Sequence, residues 1–239
     1  MSKNNDIFIE LLICDSTSIK PPMDAQKVLS AAERERLASI RHPHQARLFL
    51  VGRYLLRQRL ADRLNEDPAR IPIRIDARGK PLLERPGWYF NISHSGDLLA
   101  LTIGNRGALG IDLESRRLDP PRIHRLARRY LNAAEQQWLA RSPAPEQDFM
   151  RLWTVKEAVL KACGEGIANN LQRVQWQPGA GYAMLDQQAY HLYQYALPRA
   201  WLTLAVEEGT DAEPIWPTLS DLPSDLEISG PQPNLTRNP

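Results

Sequence analysis

The stretch WYFNISHSGDLLALTIGNRGALGIDLE, Trp88 to Glu114, decides the fold class. Trp88–Ile92 and Leu98–Ile103 are runs of strand-forming residues joined by Ser93-His94-Ser95-Gly96. Asn105-Arg106-Gly107 makes a turn, and Ala108–Glu114 is a third strand. Successive strands without a helix between them do not make a βαβ unit. Residues two apart on a strand share a face, so Asp112 and Glu114 point one way while Ile111 and Leu113 face the core.

Outward from this stretch, helices and strands mix without strict alternation. Ile7–Ile13 reads as a strand, and Ser30-Ala-Ala-Glu33 as a capping box opening a helix. A longer helix follows Pro43, with Leu48, Val51, Leu55, Leu56 and Leu60 near one face. Ile71, Ile73 and Ile75 alternate like a half-buried strand. Pro121–Leu131 is helical, and Asn132 is the N-cap of another helix. Asp148–Cys163 is a strong helix stopped at Gly164. Val174–Trp176, Tyr190–Tyr195 and Trp201–Val206 are further strands. The fold class is therefore α+β. The chain divides into a first α+β half over 1–105, a second over 106–208, and an acidic, proline-rich tail over 209–239 expected to be disordered.

Composition limits the function. The 239 residues are enough for a real core, and 43% hydrophobic with 24% charged is an ordinary globular balance. No apolar run is long enough to span a membrane, and the first residues lack a signal-peptide cleavage site. The two cysteines, Cys14 and Cys163, suit a reducing, cytoplasmic setting. A net charge of +2 singles out no nucleic acid, but charge is uneven. Eight arginines lie between Glu33 and Arg63, and six between Arg116 and Arg129.

Three clusters can carry chemistry. Asp112 and Glu114 repel unless a cation neutralises them, and hard oxygens suit Mg²⁺; alone, D-x-E also fits a solvated strand face. Trp153, Glu157 and Lys161 form one helical stripe, an ordinary Glu–Lys pair if taken alone. That helix also carries Phe149, Leu152, Val155, Ala158, Val159, Leu160 and Cys163, so its charges are expected to face a site. Asn91-Ile92-Ser93-His94-Ser95-Gly96 reads as a strand end entering a hydroxyl-rich turn able to donate to a phosphate, or to satisfy its own backbone.

The ordered strings FNISHSG, GIDLE and WTVKEAVLKACGEG resemble the Sfp-type 4′-phosphopantetheinyl transferases from about Ser30 to Val174. Gly79-Lys80-Pro81 and Arg129-Tyr130-Leu131-Asn132-x-x-Glu135 belong to the same likeness. The resemblance implies two α+β halves related by a pseudo-twofold axis, with coenzyme A in the cleft between them. It implies Mg²⁺ on Asp112, Glu114 and Glu157, phosphate contacts from Lys161 and His94, and Ser93 and Lys80 nearby. It assigns the 3′-phosphate to basic residues of the first helical region, here Arg36, Arg41 and Arg47. Glu157 is the implied general base, the acceptor a serine of an apo acyl or peptidyl carrier protein, and the by-product adenosine 3′,5′-bisphosphate. A monomer without nucleic-acid or membrane partners is expected. The competing readings are a metal-dependent phosphohydrolase using the same carboxylates, an RNA-binding module on the arginine-rich segments, and a coenzyme A-binding pseudoenzyme.

Overall fold

A computed structural model describes residues 7–166, 170–207 and 218–220. The first half runs β1 (Ile9–Asp15), α1 (Ala31–Ser39), α2 (Pro43–Leu64), a 3₁₀ turn at Pro68–Arg70, β2 (Ile73–Ile75), β3 (Pro81–Leu83), β4 (Tyr89–Ser95) and β5 (Leu98–Gly104). The second runs β6 (Leu109–Glu114), α3 (Pro120–Tyr130), α4 (Ala133–Ala140), α5 (Pro145–Cys163), a 3₁₀ turn at Leu171–Arg173, β7 (Val174–Gln175), β8 (Tyr182–Leu185), β9 (Gln188–Leu197) and β10 (Ala200–Glu207). A last strand, β11 (Thr218–Ser220), follows. This is the expected α+β class.

The two sheets repeat one order. The first is β11-β1-β5-β4, with β2-β3 as a separate ribbon, and the second is β6-β10-β9-β8-β7. The inner faces of the sheets pack together through Ile9, Leu11 and Ile13 of β1, Ile111 and Leu113 of β6, and Leu202 and Leu204 of β10. On the outer face of the first sheet α2 buries Val51, Leu56 and Leu60 against Leu12, Leu99 and Leu101. On the outer face of the second, α5 buries Phe149, Leu152, Val155 and Val159. β1 and β6 are therefore buried on both faces, one against the other sheet and one against a helix.

Local rules explain the helix ends. Ser30 and Asn132 both close capping boxes with Glu33 and Glu135, three residues on. α5 stops where Gly164 takes a left-handed conformation at φ 76. Gly110 is demanded by packing: a Cβ there would stand 2.0 Å from the Ala158 carbonyl oxygen and 2.3 Å from the Ala162 nitrogen. A side chain at 110 would therefore hold α5 away from β6.

Four expectations change. Ser93, His94 and Ser95 lie on β4, paired with Ala100, Leu99 and Leu98, so the turn is only Gly96-Asp97. Ile71 is buried but outside the paired strand, and Ile75 is exposed, because the two-stranded ribbon is short and leaves one face open. β8 was not read from the sequence, since Tyr182–Leu185 lacks alternation. Within the tail, Thr218–Ser220 pairs parallel to β1, where the open edge of that strand offers unpaired backbone groups; the rest of 209–239 lies outside the described residues. Among the described residues no helix is long and apolar enough to cross a membrane.

Candidate active site

The two sheets meet along β4 and β6 by a polar joint. Asn91, Ser93 and Ser95 alternate on one face of β4. Their side-chain oxygens accept from the backbone N–H groups of Ile111 (3.0 Å), Leu113 (3.2 Å) and Ser115 (2.9 Å). Side chains thus replace a backbone ladder where the strands are not directly paired, which satisfies otherwise buried donors. This is the main structural work of the N-I-S-H-S string. His94 alternates to the opposite face of β4.

Asp112 and Glu114 occupy the face of β6 beneath α5 and are 2% and 7% exposed, so they are no solvated strand face. Lys161 Nζ donates to Asp112 Oδ1 and, at 3.2 Å, to Ser93 Oγ, and lies 3.7 Å from Glu157 Oε2. Ser93 in turn donates to Asp112 Oδ1 at 3.2 Å. Asp112 Oδ2 is buried with no hydrogen-bond partner. Glu114 is held differently: Arg116 grips both its oxygens and Ser95 donates to Oε2. Burial, then the negative charge of Asp112, pushes the Glu157 carboxyl up to about 7. Burial likewise raises Asp112 against the opposing pull of Lys161. Burial and the charge of Lys161 lower the His94 imidazole below its usual range.

Across β4 from this cluster, and not lined by its carboxylates, lies a cavity of about 590 Å³. Arg36 and Arg41 from the α1–α2 region, Arg53 and Phe49 from α2, and Asn91 and His94 from β4 line it. β4 is thus the shared wall: Ser93 touches the carboxylates, while His94 faces the cavity.

The structure brings Ser93, His94, Asp112, Glu157 and Lys161 to one place, with Glu114 beside them and Arg36 and Arg41 across the cavity. Two expected site residues fall elsewhere. Arg47 points to the other side of α2 and donates to the carbonyls of Ser16, Thr17 and Ile19, fastening the loop after β1. Lys80 Nζ donates to the carbonyls of Lys161 and Ala162 at the end of α5. Arg78 donates to the Gly164 carbonyl beside it. Asp76 accepts from the backbone of both Arg78 and Lys80, so this loop is built to cap α5 from the first half.

Whether these carboxylates suit a divalent cation is answered in two parts. Among the described residues no three His, Cys, Asp or Glu side chains are grouped as a ready metal cage, because Lys161 and Arg116 serve as the counter-charges. The orphaned Asp112 Oδ2 and the elevated Glu157, with Glu114 adjacent, nevertheless make an all-oxygen donor set with unspent negative charge. That set fits Mg²⁺.

Sequence reading missed Arg53 and Arg116, and placed Asn91 and Ser95 in a hydroxyl-rich turn and not in the joint to β6. Arg53 was one of eight arginines with nothing to single it out. The i, i+2 spacing of Asn91, Ser93 and Ser95 on a strand was a signal that could have revealed the joint.

An α+β chain whose buried carboxylate–lysine cluster adjoins an arginine-lined cavity has the parts of a phosphoryl-transfer enzyme. Comparison with known proteins narrows that class. Residues 108–202 match the 4′-phosphopantetheinyl transferase superfamily, and residues 21–104 match 4′-phosphopantetheinyl transferase, N-terminal. The 4′-phosphopantetheinyl transferase HetI of Nostoc is 35% identical over 151 residues, covering 61% of this chain and 63% of the relative. The 4′-phosphopantetheinyl transferase of Bacillus subtilis is 33% identical over 143 residues, 59% and 62% respectively. The human L-aminoadipate-semialdehyde dehydrogenase-phosphopantetheinyl transferase is 30% identical over 168 residues, 64% and 53%. The matched region spans less than two thirds of each of these relatives. The chain belongs to the 4′-phosphopantetheinyl transferase superfamily.

Proposed function

We propose that this protein transfers the 4′-phosphopantetheine group of coenzyme A to a serine of an apo acyl or peptidyl carrier protein, releasing adenosine 3′,5′-bisphosphate. The observation that carries this reading is the contact of Lys161 with both Asp112 and Ser93, on the strand that also walls the basic cavity. The repeated order of elements supports two halves related by a pseudo-twofold axis with coenzyme A between them. The protein acts as a cytoplasmic monomer in this proposal, without nucleic-acid or membrane partners.

Mg²⁺ is the proposed cofactor, held by Asp112, Glu157 and Glu114, and when bound it supplies positive charge to the diphosphate. Arg36 and Arg41 neutralise phosphate in the cavity. His94, on the cavity wall, orients the phosphate nearest β4. Lys161 already holds its ammonium against Asp112, and from there it donates to the departing phosphate oxygen. Glu157 accepts the proton of the attacking serine hydroxyl, directly or through water. A carboxyl with an affinity for protons near neutrality suits that task better than an ordinary glutamate. Ser93 fixes both Lys161 and Asp112, so it positions the pair.

Intact-mass measurement of several apo-carriers after incubation with coenzyme A and Mg²⁺ tests the reading. Each true acceptor gains one phosphopantetheine on serine, and Asp112→Ala abolishes the gain. Release of a phosphate or nucleotide product from coenzyme A without any acceptor points instead to the phosphohydrolase reading. Unmodified carriers across the set contradict the proposal.

A further inference from the structure

The carboxylates at the α5–β6 interface carry two resident cations, Lys161 and Arg116, and the two are held differently. Lys161 stands on α5, and its side chain is 22% exposed. It donates to Asp112 Oδ1 and to Ser93 Oγ, and lies 3.7 Å from Glu157 Oε2. Arg116 lies between β6 and α3, in a stretch without regular structure, and its side chain is 54% exposed. Its Nε donates to Glu114 Oε2 at 2.8 Å and its Nη2 to Oε1. Among the described residues, Glu114 is the only hydrogen-bond partner of that guanidinium. Glu114 itself has a second hold, the Ser95 hydroxyl, and is 7% exposed. The carboxylate is therefore fixed from the β4 side, while its cation approaches from solvent.

Charge decides what a divalent ion would displace here. Three carboxylates, Asp112, Glu114 and Glu157, face these two cations, and Arg116 feels Glu157 and Asp112 as well as Glu114. A divalent ion added to the set would leave a positive charge in excess at a largely buried interface, and uncompensated buried charge is costly. Departure of one resident cation restores the balance. A guanidinium stays charged at any accessible pH, so Arg116 can leave only by moving, not by losing a proton. Moving costs it little, because more than half of its side chain already meets water and an exposed ion pair contributes little. Lys161 would have to quit an enclosed position and abandon Ser93 as well as Asp112. Resting on the functional reading above, we infer that Arg116 is the exchangeable counter-ion of the cation site: it closes Glu114 in the resting protein and turns out to solvent when a divalent cation takes that carboxylate, while Lys161 stays. A cation must then displace a two-point fork to bind, so Arg116 sets how much cation the site needs.

The test is calorimetric binding of Mn²⁺ alone, at low ionic strength, to the full-length wild type, Arg116→Met, Arg116→Lys and Asp112→Asn. Arg116→Met should bind Mn²⁺ about fivefold more tightly than wild type, because the competitor is gone. Arg116→Lys, which keeps the charge but loses the fork, should fall between them. Equal affinities in wild type and Arg116→Met overturn the inference. A second measurement follows the side chain itself. The Nε–H resonance of Arg116 in ¹⁵N spectra, assigned by its loss in Arg116→Lys, should shift and exchange faster with water as diamagnetic Mg²⁺ is added. A resonance unmoved at saturating Mg²⁺ overturns the inference even if Arg116→Met does not fold. Asp112→Asn separates this inference from the reading beneath it. Wild-type Mn²⁺ affinity in Asp112→Asn means that the cation does not sit on these carboxylates, and removes both. Weakened binding there, with no gain in Arg116→Met, removes only the exchange.

Discussion

In the first half of the chain, the face of β1 under α2 carries Glu10, Leu12 and Cys14; in the second, the face of β6 under α5 carries Gly110, Asp112 and Glu114. The scaffolds around these faces correspond closely. Each half has a short helix opened by a capping box, whose glutamate is buried and paired with a cation of the long helix. Glu33 pairs with Arg57 at 2.7 Å, and Glu135 with Lys156 at 2.8 Å. Each cation then donates to two carbonyls at the 3₁₀ turn ahead of the next strand: Arg57 to Pro68 and Ile71, Lys156 to Leu171 and Val174. So the same node ties helix, cap and turn together twice. What differs is the helix–sheet interface, which is mostly apolar in the first half and carries paired carboxylates and a lysine in the second. Shared nodes maintain the fold; in the proposed function the polar interface carries the chemistry.

The largest loss of activity expected from this comparison is at the two interface glycines. Gly110→Ala places a methyl against the backbone of α5, which cannot yield, and should cost at least the upper part of the about 1–3 kcal/mol usual for overpacking, together with nearly all activity. Gly52→Ala meets only side-chain atoms, the Leu99 tip at 3.1 Å and Ile92 at 3.6 Å, and gains helix propensity, so it should be close to neutral. Urea unfolding of both variants decides this, and equal losses would erase the contrast between the interfaces. Next come the shared nodes. Glu33→Ala and Glu135→Ala each leave a buried cation unpaired and should each cost about 3–5 kcal/mol. A large loss in one half and none in the other would show that the nodes are not equivalent.

Smaller effects sharpen the boundary between the halves. Lys80→Met removes the first half's cap on α5 and should lower kcat several-fold and stability by about 1–2 kcal/mol, while coenzyme A affinity holds. Weaker coenzyme A binding at unchanged kcat would instead put Lys80 on the ligand. The smallest effect is in pH. Glu157 binds its proton more tightly in the folded protein, about 7 against an ordinary 4.5. Its contribution to stability is therefore present below 4.5 and lost as pH rises through about 7. In chelator, Glu157→Gln should gain melting temperature relative to wild type between those values. A constant difference would mean that Glu157 titrates normally.

The strand-rich centre, both capping boxes and the α5 stop were legible because each depends on neighbours in sequence. The faces shared by Asp112 with Glu114 and by Glu157 with Lys161 were legible, since i, i+2 and i, i+4 spacing fixes them; the contact of Lys161 with Asp112 was not, because it joins two elements distant in sequence. Arg47 and Lys80 went astray because both are lysine- or arginine-type residues in the right region, and only tertiary contacts decide whether such a group meets a ligand or a carbonyl. The hydroxyls of β4 were read as a phosphate turn because two sheets joined by side chains leave no periodic trace beyond i, i+2.

In the proposed function chemistry lies at the α5–β6 interface and phosphate is held in the cavity across β4. The most direct test is kcat of Glu157→Gln through a Mg²⁺ titration at saturating coenzyme A, with coenzyme A affinity measured by calorimetry. The account predicts a kcat depressed on the order of 10²-fold or more even at saturating Mg²⁺, with coenzyme A binding retained. Full recovery of kcat at high Mg²⁺ would contradict it and leave Glu157 a metal ligand alone.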